Sequence, residues 1–232
     1  YAFQFPDFND YPKFGIWHDG YYASFNIFGS YNRAAAAAFE RDSMLVGNPN
    51  AQMVLFDLPS GSDPFSMLPA DFDGTPPPAG TPNYFAYYND DVWGYPFDQV
   101  RIWEFSVDWT TPANSTFSES QIIQTSPFDW EICSAYRGRC IDQPSTTKKL
   151  ETISDRLMFR LQYRNFGSYE VLLTNHTVDA GSGVAGIRWY EFRDNGSGWT
   201  IHQQSTYSPD NLHRWMGSIA MDSLGNIALG YS

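Results

Sequence analysis

Lysine is nearly missing from this chain: only Lys13, Lys148 and Lys149 occur among its 232 residues. With 14 basic against 26 acidic side chains, the formal net charge is -12. Nucleic acid and anionic membrane surfaces both call for a basic face, so neither is expected as a partner. Long apolar runs are absent as well, and nothing in the sequence reaches the roughly 18 residues a membrane-spanning helix needs. No Gly-x-Ser-x-Gly elbow, glycine-rich phosphate loop or dinucleotide fingerprint occurs, which removes the usual signatures of nucleophilic and nucleotide chemistry. Four scattered histidines (His18, His176, His202, His213) and two cysteines make no zinc motif.

What the chain does hold is aromatic side chains, at 18%, against only 17% charged residues. Such a balance fills a β core and also suits surfaces that meet sugar rings or protein partners. The two cysteines, Cys133 and Cys140, flank a short loop containing Gly138. A disulfide between them is expected, and it points to an oxidising, extracellular setting. Asn114, Asn175 and Asn195 each open a glycosylation sequon, which would matter only in a eukaryotic secretory pathway.

An internal repeat organises the sequence. Each unit opens on an extended stretch that closes in a Gly- or Asn-containing turn, as in Phe14 to Gly20, Leu68 to Gly74, Phe159 to Gly167 and Ser218 to Asn226. A second strand follows each turn. The third strand carries the closest match, with Val100-Arg101-Ile102-Trp103-Glu104-Phe105 aligning on Ile187-Arg188-Trp189-Tyr190-Glu191-Phe192. A fourth strand then leads to Pro59, Pro127 or Pro209. Four short strands repeating at roughly 50–60 residues are the pattern of a propeller blade.

The expected fold is therefore an all-β, β-propeller region with about three complete four-stranded blades and partial blades at both ends. Its divisions are a blade remnant at 1–8, blades at 9–59, 60–127 and 155–209, an insertion at 128–154, and a partial blade at 210–232. Tyr1 to Phe5 reads as one more fourth strand, and the ragged ends suggest a larger ring. The run Ala34 to Ala38 sits where a third strand belongs, although alanine is depleted from strands.

Several motifs carry a resemblance: Phe8-Asn9-Asp10-Tyr11-Pro12-Lys13-Phe14-Gly15, Asp155-Arg156-Leu157-Met158, Tyr163-Arg164-Asn165-Phe166-Gly167 and His213-Arg214-Trp215-Met216-Gly217-Ser218. They resemble an uncharacterised family of large secreted bacterial proteins with a predicted β-propeller, over nearly the whole chain. The chain departs from that pattern at Ala34 to Ala38. The resemblance implies a secreted propeller with sialidase-like architecture and carries no activity with it.

In a propeller, ligands usually meet the rim made by loops entering first strands and loops joining second to third strands. That rim would hold Asp10, Tyr11 and Lys13, then Asp155 and Arg156, then His176, and finally His213, Arg214 and Trp215. Glycoside hydrolysis needs two carboxyl groups, for which Asp10 and Asp155 are the expected catalytic pair. Tyr11, Lys13, Arg156, His176, His213, Arg214 and Trp215 are the expected ligand-binding set. No metal site or cofactor is expected, although the oxygen-rich clusters at Asp7, Asn9 and Asp10 and at Asn89, Asp90 and Asp91 would suit a structural calcium. Two functions follow: binding and hydrolysis of an extracellular glycan, or a non-catalytic adhesive module that engages a protein partner.

Overall fold

The structure is a computed structural model that describes residues 1–59, 64–133 and 138–232. Strands hold 48% of the chain and helices 5%, so the all-β expectation is met. The first four strands are β1 (Phe8–Ile16), β2 (Tyr21–Phe28), β3 (Arg33–Phe39) and β4 (Met53–Asp57), which form one antiparallel meander. A second meander contains β5 (Leu68–Phe72), β6 (Asn83–Asn89), β7 (Gln99–Ser106) and β8 (Thr116–Gln124). The short pair β9 (Arg139–Ile141) and β10 (Leu150–Glu151) stands within the expected insertion. A third meander follows, with β11 (Leu157–Asn165), β12 (Glu170–Asp179), β13 (Ala185–Asp194) and β14 (Thr200–Tyr207). The hairpin of β15 (Ser218–Met221) and β16 (Ile227–Gly230) completes the order.

The second and third meanders merge into one curled eight-stranded sheet through their first strands. There β5 and β11 run parallel, with Leu161, Gln162 and Tyr163 opposite Ala70, Asp71 and Phe72. Neighbouring first strands are tied in the same way elsewhere. The Ile16 amide donates to Asp71 Oδ1 at 3.0 Å, and Gln162 exchanges two hydrogen bonds with the Met221 backbone. Gly15 makes the approach of β1 to β5 feasible, since a Cβ there would stand 2.3 Å from the Ala70 carbonyl oxygen.

Period-two alternation decides what each face meets. On β3, Ala34, Ala36 and Ala38 face the main core with Tyr22, Phe85 and Phe105, while Ala35 and Ala37 join Phe25 and Phe39 on the outer face. All five alanines are buried. The strand is sandwiched on both sides by aromatic rings, and small side chains let those layers close; packing overrides the weak strand preference of alanine. The main core is built of edge-on aromatic contacts across sheets, including Tyr22 on Phe105 and Trp17 on Tyr163.

Tyr1 to Phe5 differs from its expected strand. The segment forms no ladder and lies on the outer face of the first meander, with Phe3 against Phe39 and Phe5 against Phe25. Burying those two rings replaces the edge pairing that a fourth strand would supply. Cys133 and Cys140 form the expected disulfide. No helix among the described residues is long and apolar enough to cross a membrane.

Candidate functional site

β5 and β11 run parallel, the entrance of β1 meets that of β11 where Arg156 lies over Tyr11, and Gly217 before β15 sits against Asn175 beside Met158, so the first strands enter from one end. The expected rim residues therefore share one end of the molecule, but they do not form one group.

Asp10, Tyr11, Lys13, Asp155 and Arg156 come together. The β1–β2 ladder shifts register between Asp10 and Lys13, and Tyr11 within that bulge has a φ of 54°. A bulge re-aims side chains, and a left-handed tyrosine is strained unless its surroundings hold it. The surroundings here are cations: Lys13 Nζ lies 3.4 Å from the Tyr11 ring centroid and Arg156 Cζ lies 4.8 Å from it. Arg156 also clamps its neighbour Asp155 with two 2.8 Å hydrogen bonds, Nε to Oδ1 and Nη2 to Oδ2. Burial and the nearby guanidinium hold the Lys13 ammonium below the ordinary lysine range, with Asp10 opposing them. Burial works against the charge on Arg156, yet Asp155 and Tyr11 raise its proton affinity overall. The result is a compact, partly exposed surface of one aromatic ring, two cations and two carboxylates. Such a surface can hydrogen-bond the hydroxyls of a sugar or pair with a carboxylate.

His176 is corrected from a ligand-binding residue to a core residue. It is 0% exposed, with Nε2 2.9 Å from the Tyr190 hydroxyl and Tyr88 and Phe128 rings packed around it. Burial, and secondarily Arg188, lowers its pKa to about 3, so it stays neutral. Tyr88 above it is buried too, donates to the Ser154 carbonyl, and is pushed far up by burial and by Asp155 and Asp90. Asn175 of the second sequon is likewise 0% exposed, whereas Asn114 and Asn195 are at the surface.

His213, Arg214 and Trp215 form a separate group with the disulfide insertion and the C-terminal residues. His213 Nδ1 accepts the Ala185 amide at 3.1 Å. Arg214 is locked to Asp210 by two hydrogen bonds of 2.8 and 2.9 Å and lies beside the packed rings of Tyr207 and Tyr231. Trp215 packs against Ile132, Ile141 and Ala185 beside Cys140, and its backbone pairs with Ser232. None of the described contacts joins this group to Asp10 or Asp155.

A third cluster was only half legible. Asp90, Asp91 and Asp98 bring ligand-capable oxygens within 4.8 Å of one another. Asp98 enters this group although it lies apart from Asn89-Asp90-Asp91 in sequence, because the β6–β7 connection returns to it. Their oxygens already have work: Asp90 accepts the amides of Val92 and Trp130, and Asp98 those of Asp91 and Phe128. These bonds staple the start of the 128–154 insertion to the rim. Glu191 is structural in the same sense, since its two oxygens accept from Arg193 and Gln203 at 2.6 Å.

Comparison with protein-family models, with curated proteins and with solved structures found no match for this chain.

Proposed function

We propose that this chain is part of a secreted β-propeller whose rim binds an extracellular glycan through Asp10, Tyr11, Lys13, Asp155 and Arg156. The observation that carries the reading is the Lys13–Tyr11–Arg156 stack, which brings residues of two sheets to one exposed surface. Three repeated meanders and a hairpin, with first strands side by side, support the propeller architecture. The Cys133–Cys140 disulfide supports an extracellular location. A mixed surface of aromatic ring, cations and carboxylates favours a sugar that itself carries an acidic group. Hydrolysis would fall to Asp10 and Asp155, but the bidentate hold of Arg156 on Asp155 favours binding over catalysis.

A glycan array that includes uronic and sialic acid oligosaccharides tests this reading. Binding that Tyr11→Ala and Arg156→Ala abolish supports it; an array without a single hit counts against it. Release of reducing ends, lost in Asp155→Asn, would add the hydrolytic activity.

A protein-binding, adhesive role is favoured by a different surface. The outer face of the first meander exposes Phe14 and Ile16 by 52% and 47%, at an apolar recess of about 570 Å³ lined also by Phe3, Phe5 and Phe39. Exposed apolar patches of that kind mark contact surfaces. Phe14→Ser with Ile16→Ser should then disrupt assembly while glycan binding persists.

A further inference from the structure

Of the eight tryptophans, Trp93 is the most exposed, at 39%, and Val92 beside it is exposed as well. Both lie on a short 3-10 helix, Asp91–Trp93, in the connection from β6 to β7. A single exposed apolar residue means little, since such residues are common on protein surfaces. What sets Trp93 apart is how it is held and what it stands beside.

Asp90 positions two indoles at once. Its Oδ1 accepts the Val92 amide at 2.9 Å, and its Oδ2 accepts the Trp130 amide at 3.0 Å. Asp98 takes the Asp91 amide at 2.7 Å, and left-handed Gly94 closes the turn. The Trp93 ring stacks on Tyr88 at 5.4 Å and 21°, and Trp130 leans against it at 5.5 Å. Among the described residues neither indole N–H has an acceptor, so both can donate to a ligand. Tyr88 also reaches the rim. Its hydroxyl donates to the carbonyl of Ser154, one residue before Asp155, and lies in the fields of Asp155 and Arg156. Trp93 and the Asp155–Arg156 clamp therefore stand at the two ends of one tyrosine side chain.

A pyranose ring presents a face of polarised C–H groups that suits the electron-rich face of an indole. The Tyr11 ring is already occupied, because Lys13 and Arg156 lie over it. Trp93 supplies the flat apolar surface that the charged part of the rim lacks. We propose that Trp93, backed by Tyr88 and Trp130, is a second sugar subsite of the rim, taking the neutral pyranose next to an acidic sugar held at Arg156. The proposal rests on the reading of the rim as a glycan site and adds a ligand class, an oligosaccharide in which acidic and neutral sugars alternate.

Oligosaccharides of alternating glucuronic acid and N-acetylglucosamine, compared with glucuronic acid alone, provide the probes. The whole chain should bind the oligosaccharide at least about tenfold more tightly than the acid. Trp93→Ala should remove that gain, Trp93→Phe should recover part of it, and Arg156→Ala should abolish binding of both probes. The oligosaccharide should shift the tryptophan emission of the natural chain to shorter wavelength, and far less that of Trp93→Phe; a loss of packing alone would not produce this difference. Tyr207→Ala, which removes an equally exposed ring outside the rim group, should leave both affinities unchanged. Should Trp93→Ala fail to fold, Trp93→Leu, apolar but without a ring, decides the matter. Oligosaccharide affinity that survives the loss of the Trp93 ring overturns the subsite and leaves the glycan reading standing. A natural chain that binds neither probe overturns the ligand class, and one that binds no glycan on any array removes the glycan reading with it.

Discussion

Arg156 lies over the ring of Tyr11 while holding Asp155 in a bidentate clamp, so one guanidinium links the entrance of β11 to the bulge of β1. Tyr11 and Arg156 are far apart in sequence. The link holds an unusual tyrosine backbone in place and sets the spacing of two carboxylates and two cations.

Arg156→Lys should therefore be damaging although it keeps the charge. A lysine cannot clamp Asp155 bidentately or spread over the ring. Glycan affinity should fall on the order of tenfold, with little change in the melting midpoint. Array binding measured beside a thermal melt separates the two effects; equal affinity in the lysine variant would remove Arg156 from the site.

His176 should make stability depend on pH. Its folded pKa of about 3 lies below the unfolded value near 6.5, so the unfolded chain takes up the proton more readily. The full contribution is present above pH 6.5 and is lost progressively as pH falls toward 3. A shift of this size corresponds to roughly 5 kcal/mol. Urea unfolding between pH 7 and pH 4 should show a steeper loss for the natural chain than for His176→Gln. Glu170 and Asp90, both raised by burial, act in the opposite sense, so the difference between the two proteins is the informative quantity. Parallel curves would contradict the assignment.

Gly15→Ala should destabilise the join between the first and second meanders. The added methyl would meet the Ala70 carbonyl oxygen at 2.3 Å, and backbone on both sides cannot step aside cheaply. A cost of about 3 kcal/mol is expected, at the upper end of ordinary overpacking. Chemical denaturation measures it; a loss under about 1 kcal/mol would mean that the two strands separate easily.

Removing the disulfide should act locally. Cys133 and Cys140 are seven residues apart, and closing so short a loop contributes about 2.5 kcal/mol by chain entropy. Cys133→Ser with Cys140→Ser should raise amide exchange in β9 and β10 and around Trp215, which packs on the same Ile132–Ile141–Ala185 cluster as Cys140. Exchange in β2 and β12 should not change.

The order of strands was legible because hairpin turns and period-two patterns are local properties. Asp19-Gly20, Gly225-Asn226 and the paired third strands around Glu104 and Glu191 fix where the chain reverses, whatever surrounds them. The sequence also determined the all-β class, the acidic character and the disulfide between Cys133 and Cys140. It placed Asp10, Tyr11, Lys13, Asp155 and Arg156 at one rim, and those five do meet. Tertiary structure decided the rest. His176 lies at a strand end like the others, yet neighbouring rings from β6 and the insertion cover it completely. His213, Arg214 and Trp215 were drawn away by partners as near in sequence as Asp210 and as far as Ile132, none of which a repeat pattern reveals. Ala34 to Ala38 became a strand because two aromatic layers close over it. Burial and cross-strand register are properties of the packed chain, which is why Tyr11, Lys13 and Arg156 gather as the repeat suggests while His176, His213, Arg214 and Trp215 do not.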